Sequence, residues 1–309
     1  MPALRLEKLQ KRYENIEAVV GLSFEIQQGE VFGLLGPNGA GKTSTISMVA
    51  TRLRPTSGDA FVFGRSILRD IHAVRQMIGV VPQEIAIYPQ LTAAENVRFF
   101  GRMYGVPKAE LERRLDELLE QVGLDGRRND AVATFSGGMK RRLNLAVSLV
   151  HHPQLVLLDE PTVGVDPHSR ENIFSIVRGL RERGTAILYT THYMEEAELL
   201  CDRIGIMDEG KSIAMGSLDE LLTAAGCAEI VEVRGVSPGG DLTRWQRLPG
   251  VCRAEANDGI VRLYVTSASQ VLAPLSQLMS LLPNEPSVQI APMSLQTLFL
   301  HLTGKELRD

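Results

Sequence analysis

The segment Gly36-Pro37-Asn38-Gly39-Ala40-Gly41-Lys42-Thr43 matches GxxxxGK[ST] at every fixed position, and Ser44 extends the candidate contact surface. Glycine has no Cβ to keep an anion off the main chain, so such a loop can converge its N–H groups on phosphate oxygens. Lys42 can reach the β- and γ-phosphates of a nucleoside triphosphate, and the Thr43 hydroxyl can ligate Mg2+. An ordinary glycine-rich turn is the alternative. Against it, the loop follows the apolar run 31–35 and precedes a helical pattern from about Lys42 to Leu53, whose N-terminus adds partial positive charge.

A second apolar run, Leu155-Val156-Leu157-Leu158, ends in Asp159-Glu160. In an open parallel sheet, ligands bind beyond the carboxyl ends of the strands, so this end and the glycine loop can face one nucleotide. Asp159 would hold the metal ion through water, and Glu160 would orient or deprotonate the attacking water. Alone, two acids after an apolar run are more often solvated loop charges. A third run, 185–190, leads through Thr191 to His192. A lone histidine is more often structural, but at the end of the next strand it can hydrogen-bond the γ-phosphate and sense its loss. Gln83 follows Ile78-Gly79-Val80-Val81-Pro82, where its uncharged amide can touch both Mg2+ and water. Ser136 is a good N-cap for the helical stretch 140–150, and a capped helix is the simpler reading of Phe135-Ser136-Gly137-Gly138-Met139. The sharper reading makes Gly137 and Gly138 a second anion-binding helix start. Two such starts, far apart in one chain, suit a nucleotide held between two copies.

Positioning these groups takes strands that end at one edge. Residues 4–9, 18–26, 59–63, 77–81 and 203–207 also read as strands. Residues 92–122 have long helical spacing, with Leu111, Leu115, Leu118, Leu119 and Val122 on one face, and 169–183 and 193–201 read as helices. Strand–helix alternation predicts a parallel α/β sheet with a helical insertion over about 84–150. After Leu222 the texture changes. Strands at 229–234, 251–255, 260–265 and 287–291, with helices at 241–248 and 268–282, give the order βαββαβ of a small ferredoxin-like α+β domain. A terminal helix from about Ser294 to Leu302 would stop at Gly304. The domains expected are therefore 1–222 and 223–309.

The chain has 309 residues, 44% hydrophobic and 23% charged, with net charge −4. The acidic balance disfavours a dedicated nucleic-acid binder. Cys201, Cys227 and Cys252 are widely spaced, which fits a reduced intracellular chain. The alternating N-terminus is not expected to act as a signal peptide, and no apolar run approaches the ~20 residues of a membrane-spanning helix.

Taken in order, Tyr13, the glycine loop, Gln83, Ser-Gly-Gly at 136–138, Leu-Leu-Asp-Glu at 157–160, Gly164-Val165-Asp166 and His192 resemble the nucleotide-binding subunit of ABC transporters over about residues 4–220. The resemblance implies a P-loop NTPase core with an N-terminal β subdomain. It implies that Tyr13 stacks on adenine, Gly36–Thr43 form the Walker A loop and Gln83 the Q-loop. Ser136–Met139 would be the signature that contacts the γ-phosphate held by the opposite subunit. Asp159 and Glu160 would be the Walker B pair, Asp166 the D-loop aspartate and His192 the switch histidine. Two subunits, a homodimer or a paired ATP-binding subunit, would close head to tail over two ATP–Mg2+. The helical subdomain would grip a separate transmembrane permease at the cytoplasmic face of the cell membrane.

Phe135 and Met139 depart from the commoner Leu and Gln of the signature, and Val163 replaces a usual serine. With Tyr193-Met194-Glu195-Glu196-Ala197-Glu198 and the tail from Leu295, these variants are similar to ABC-2-type exporters of the daunorubicin and multidrug branch. Drug, lipid and polysaccharide exporters share the pattern. The competing reading is a soluble ABC ATPase acting on nucleic acid or ribosomes. Against it, Lys42 and Ser136 are only 94 positions apart with no sustained heptads, and the chain holds one cassette.

Overall fold

The computed structural model describes residues 1–227, 229–236, 242–257, 259–280 and 286–303. The chain divides into two compact units, the first ending at Met215 and the second beginning at Gly216.

The first unit opens with β1 (Leu4–Tyr13), β2 (Ile16–Ile26), β3 (Val31–Leu35), α1 (Lys42–Val49), β4 (Ser57–Val62), β5 (Arg65–Ser66), α2 (Ile71–Met77) and β6 (Ile78–Val81). The helical insertion follows as α3 (Ala93–Met103), α4 (Lys108–Gln121) and α5 (Gly137–Ser148). The unit closes with β7 (Leu155–Asp159), α6 (Pro167–Glu182), β8 (Ala186–Thr191), α7 (Met194–Leu200), β9 (Arg203–Asp208) and β10 (Lys211–Gly216). One sheet has the order β2-β1-β4-β5 with antiparallel neighbours. The other has six strands in the order β10-β9-β3-β8-β7-β6, with β9, β3, β8, β7 and β6 parallel.

The apolar runs are strands because each buries both faces. Leu155 and Leu157 of β7 enter one core with Leu34 and Leu188, while Val156 and Leu158 enter another with Ile187 and Tyr189. A strand with alternate residues in two separate cores reads as continuously apolar. The first core lies with the β1/β2 sheet and α1, the second with α3 to α6.

The helical pattern over 92–122 resolves into two helices. Gly105 takes φ +76° and Pro107 follows, a pair that cannot continue a helix. Arg98 on α3 pairs with both carboxylate oxygens of Glu112 on α4, at 2.8 and 2.7 Å, across the joint. The helix expected to run to Leu53 stops at Val49, where Thr51 turns left-handed at φ +56°. Strand β10, Lys-Ser-Ile-Ala-Met-Gly, escaped the sequence reading because it has no apolar–polar alternation; it follows a Glu209-Gly210 turn with both φ values positive.

The second unit holds α8 (Leu218–Ala224), β11 (Glu229–Arg234), α9 (Thr243–Gln246), β12 (Val251–Asn257), β13 (Ile260–Val265), α10 (Ala268–Met279), β14 (Ser287–Pro292) and α11 (Leu295–Thr303). Its sheet order is β12-β13-β11-β14 with antiparallel neighbours, the ferredoxin-like arrangement expected from the βαββαβ pattern. The texture change after Leu222 falls inside α8, which Ser217 and Glu220 start as a capping box. Trp245 packs in the core with Val231, Val233, Leu263 and Val271. Residues 281–282 of the expected helix, the stop at Gly304 and the end of the tail lie outside the described residues.

Candidate nucleotide-binding and hydrolytic site

The glycine loop joins β3, buried along its whole length, to α1. Two of its glycines are required by close approach. A Cβ on Gly36 would strike Met207 O on β9, and one on Gly41 would strike Ala18 O on β2. Gly41 also sits at φ +103°, in the N-cap position of α1, and Gly39 at φ +85°. No acidic residue occupies the first turn of α1, so nothing competes there for the partial positive charge. Pro37 is half-buried, Asn38 and Gly39 are exposed and Ala40 is buried. Thr43 is exposed and Ser44 half-buried at the helix start.

Lys42 Nζ turns to the loop, donating to Gly36 O at 2.7 Å and Pro37 O at 3.1 Å. It also lies 3.2 Å from Glu160 Oε1, and both side chains are about 95% buried. Burial pushes the Lys42 pKa down, opposed by Glu160 and Asp159.

Glu160 collects the rest of the site. Gln83 Nε2 donates to Glu160 Oε2 at 3.2 Å, and His192 Nδ1 approaches Oε1 to 3.2 Å. Beside it, Asp159 Oδ1 accepts from Thr43 Oγ1 at 3.2 Å and from Thr190 Oγ1 at 2.9 Å. Burial raises the Asp159 pKa, and the Thr190 and Thr43 hydroxyls work against it. Lys42, Thr43, Gln83, Asp159, Glu160 and His192, spread over 150 positions, thus form one cluster at the ends of four strands.

Ser136 caps α5, its Oγ accepting from Met139 N at 3.3 Å, and Ser136 and Gly137 are exposed. Gly138 is buried because α6 starts against it: a Cβ there would strike Ser169 Oγ and come within 2.8 Å of Asp166 Oδ2. Asp166 caps α6 by accepting from Ser169 N at 2.9 Å, which holds its carboxyl below the ordinary range. Neither group bonds to the Lys42–Glu160 cluster. Tyr13 lies at the exposed end of β1, with Lys11 Nζ 5.0 Å from its ring centroid.

Several participants were not read from the sequence. Thr190 bonds Asp159, and its Oγ1 also accepts from Glu160 N at 3.1 Å. Buried Glu196 accepts from the hydroxyls of Thr162, Tyr189 and Thr191 at 2.6, 2.9 and 2.9 Å. Buried Arg141 on α5 bonds main-chain carbonyls on both sides of the cluster. The one sequence signal for it is an arginine on the inward Gly138-Arg141-Leu145-Ser148 face of a helix.

A parallel sheet with a triphosphate loop, an acidic strand end and a helical insertion whose last helix starts in paired glycines defines an ATP-binding cassette. Comparison with known proteins places it more closely. A family model described as ABC transporter matches residues 19–163. The linearmycin resistance ATP-binding protein of Bacillus subtilis is 43% identical, covering 99% of this chain and 100% of the relative. A Nod factor export ATP-binding protein of Ralstonia nicotianae is 40% identical, covering 100% and 96%. The solved ATP-binding subunit of an ABC transporter superposes with TM-score 0.68 at 30% identity, covering 72% of this chain and 93% of that one. An ATP-binding cassette solved as a dimer with ADP and Pi gives TM-score 0.64 at 25% identity, covering 70% and 98%. This chain belongs to the ABC transporter family, as an ATP-hydrolysing subunit of the exporter type.

Proposed function

We propose that the chain hydrolyses ATP to drive export through a separate transmembrane permease, with two ATP-binding subunits closed head to tail over two ATP. The observation that carries the reading is the convergence of Lys42, Gln83 and His192 on the Glu160 carboxylate, with Thr43 and Asp159 alongside. In it, Gly36 to Ser44 hold the phosphates, Glu160 orients or deprotonates the attacking water, and His192 contacts the γ-phosphate. Ser136, Gly137, Gly138 and Asp166 face the nucleotide of the opposite subunit, and Tyr13 stacks on adenine.

The donor set fits Mg2+. Thr43 Oγ1 and Asp159 Oδ1 are hard oxygens 3.2 Å apart, with the Gln83 amide close to the adjoining Glu160. Mg2+ held there would neutralise charge on the β- and γ-phosphate oxygens.

A docking face for the permease lies beyond Gln83. Ile85, Tyr88, Phe99 and Met103 are exposed apolar residues, Met103 at 70%. A cleft of about 690 Å³ lined by Leu91, Glu95, Arg98, Phe99, Arg102 and Met103 runs along α3. Among the described residues no helix is long and apolar enough to cross a membrane, in keeping with a peripheral position on the cytoplasmic face. The relatives named for linearmycin resistance and Nod factor export support cargo of the drug, lipid or polysaccharide class. The net charge of −4 gives no support to a nucleic-acid partner.

The test is to tag the chain in its native cell, solubilise the membranes in mild detergent and identify what co-purifies. A stoichiometric multi-spanning protein is expected. Recovery only from the soluble fraction, alone or with ribosomes or DNA, would refute the transporter reading and leave the ATPase standing.

A further inference from the structure

We propose that Arg141 is a positioning residue for hydrolysis, a clamp that sets Gln83 and Glu160 relative to each other from the helix that begins at Ser136-Gly137-Gly138. The inference rests on the hydrolytic site described above. A guanidinium carries five N–H donors in one rigid plane. Here all five are used. Nε donates to Pro161 O at 2.6 Å, Nη1 to Pro82 O at 2.6 Å and Gln83 O at 2.9 Å, and Nη2 to Asp159 O at 3.1 Å and Glu160 O at 2.7 Å. Every acceptor is a main-chain carbonyl of the segment carrying Gln83 or of the segment carrying Asp159 and Glu160.

This arrangement is more than packing. Arg141 is 3% exposed, and burial pushes its pKa down while Asp159 and Glu160 oppose the shift. A buried cation here is costly, and an apolar side chain could fill the volume instead. What only arginine provides is a planar fork wide enough to hold carbonyls of two chain segments at once. Asn144, one turn along α5, accepts from Ala86 N at 3.2 Å and extends the grip on the Gln83 segment. The direct contact across the cluster is a single 3.2 Å hydrogen bond between Gln83 and Glu160. Without Arg141, the carbonyls of Pro82 and Gln83 and those of Asp159 and Glu160 would lose the donor that they share. The clamp also makes the Ser136-Gly137-Gly138 helix start and the hydrolytic pair one rigid assembly, so the face offered to a second subunit reports on the geometry of its own site.

The test uses the full chain with Arg141→Lys and Arg141→Met, measuring ATP hydrolysis, binding of a fluorescent ATP analogue, and thermal melting. Misplacing a catalytic group by about 1 Å costs up to about 100-fold, so kcat should fall about 10- to 100-fold. KM and nucleotide affinity should stay within about twofold, because the phosphate loop is untouched. Lysine, a point donor with the same charge, should restore little of the loss. Wild-type kcat in Arg141→Lys would overturn the proposal. So would a loss of affinity that tracks the melting temperature, the mark of a residue that only maintains the fold. Should Arg141→Met fail to fold, the lysine variant decides by the same kcat-against-KM split. Glu160→Gln is assayed in parallel. Turnover surviving there would refute the hydrolytic site itself, whereas its loss beside a normal Arg141→Lys would refute the clamp alone.

Discussion

Glu160 is held in a backbone region that a non-glycine residue enters at a cost of about 1–3 kcal/mol, with φ +47°. Thr190 holds it there, both its carbonyl and its hydroxyl oxygen accepting from Glu160 N. The result is a carboxylate aimed into a buried cluster of cationic and amide donors. Glu160→Gln should therefore keep nucleotide binding and lose turnover, checked by equilibrium binding beside steady-state hydrolysis. Asp159 makes the complementary case. Its folded pKa lies above the unfolded one, so ionising it weakens the fold at any pH above that raised value. The penalty vanishes once pH falls below the ordinary carboxylate range, where both states are protonated. Asp159→Asn should accordingly melt at a higher temperature than the parent near pH 7, with the gap closing towards pH 4, while hydrolysis is lost. Melting curves across that range, without nucleotide, are the check.

At the scale of elements, the site exists because strand ends and helix starts are brought within side-chain reach. β3 delivers the phosphate loop, β6 delivers Gln83, β7 the two acids and β8 His192. Parallel neighbours in the order β3-β8-β7-β6 put all four carboxyl ends on one edge. Helix starts need the same closeness. α5 packs against the start of α6 through Gly138, where a methyl group would collide with Ser169 Oγ. Gly138→Ala should push these helices apart. The stability loss should be about 1–3 kcal/mol, the usual penalty for overpacking, with a larger proportional loss of hydrolysis. Gly137→Ala, with open space around its position, should fold like the parent. Denaturant melts of the two variants separate the cases.

At the scale of the whole molecule, each unit has a core of its own. Every residue assigned to nucleotide lies in the first unit, while Trp245, the chain's one tryptophan, is buried in the second. A ligand that binds only the folded first unit stabilises it by about 2.7 kcal/mol at 100 times its dissociation constant. Mg2+–ATP, assayed with Glu160→Gln to prevent turnover, should raise the transition followed by far-ultraviolet circular dichroism. The Trp245 fluorescence transition should stay in place. A common shift of both signals would mean that the two cores unfold as one.

The sequence by itself determined the apolar runs, the strand–helix alternation and the phosphate loop, because these rest on local periodicity and on glycine at fixed spacings. The fully buried β3, β7 and β8 were legible for that reason, and so was the βαββαβ order of the second unit. What the tertiary structure alone decided are contacts between distant segments. The left-handed backbone of Glu160, the Thr190 hydroxyl on Asp159 and the five carbonyls around Arg141 depend on which strands lie side by side. Sheet order is a long-range choice that no local window carries, and β10 shows the same limit from the other side. Its residues, two polar and then three apolar before a glycine, hold no alternation of their own and become a strand only because the edge of β9 is there to receive them.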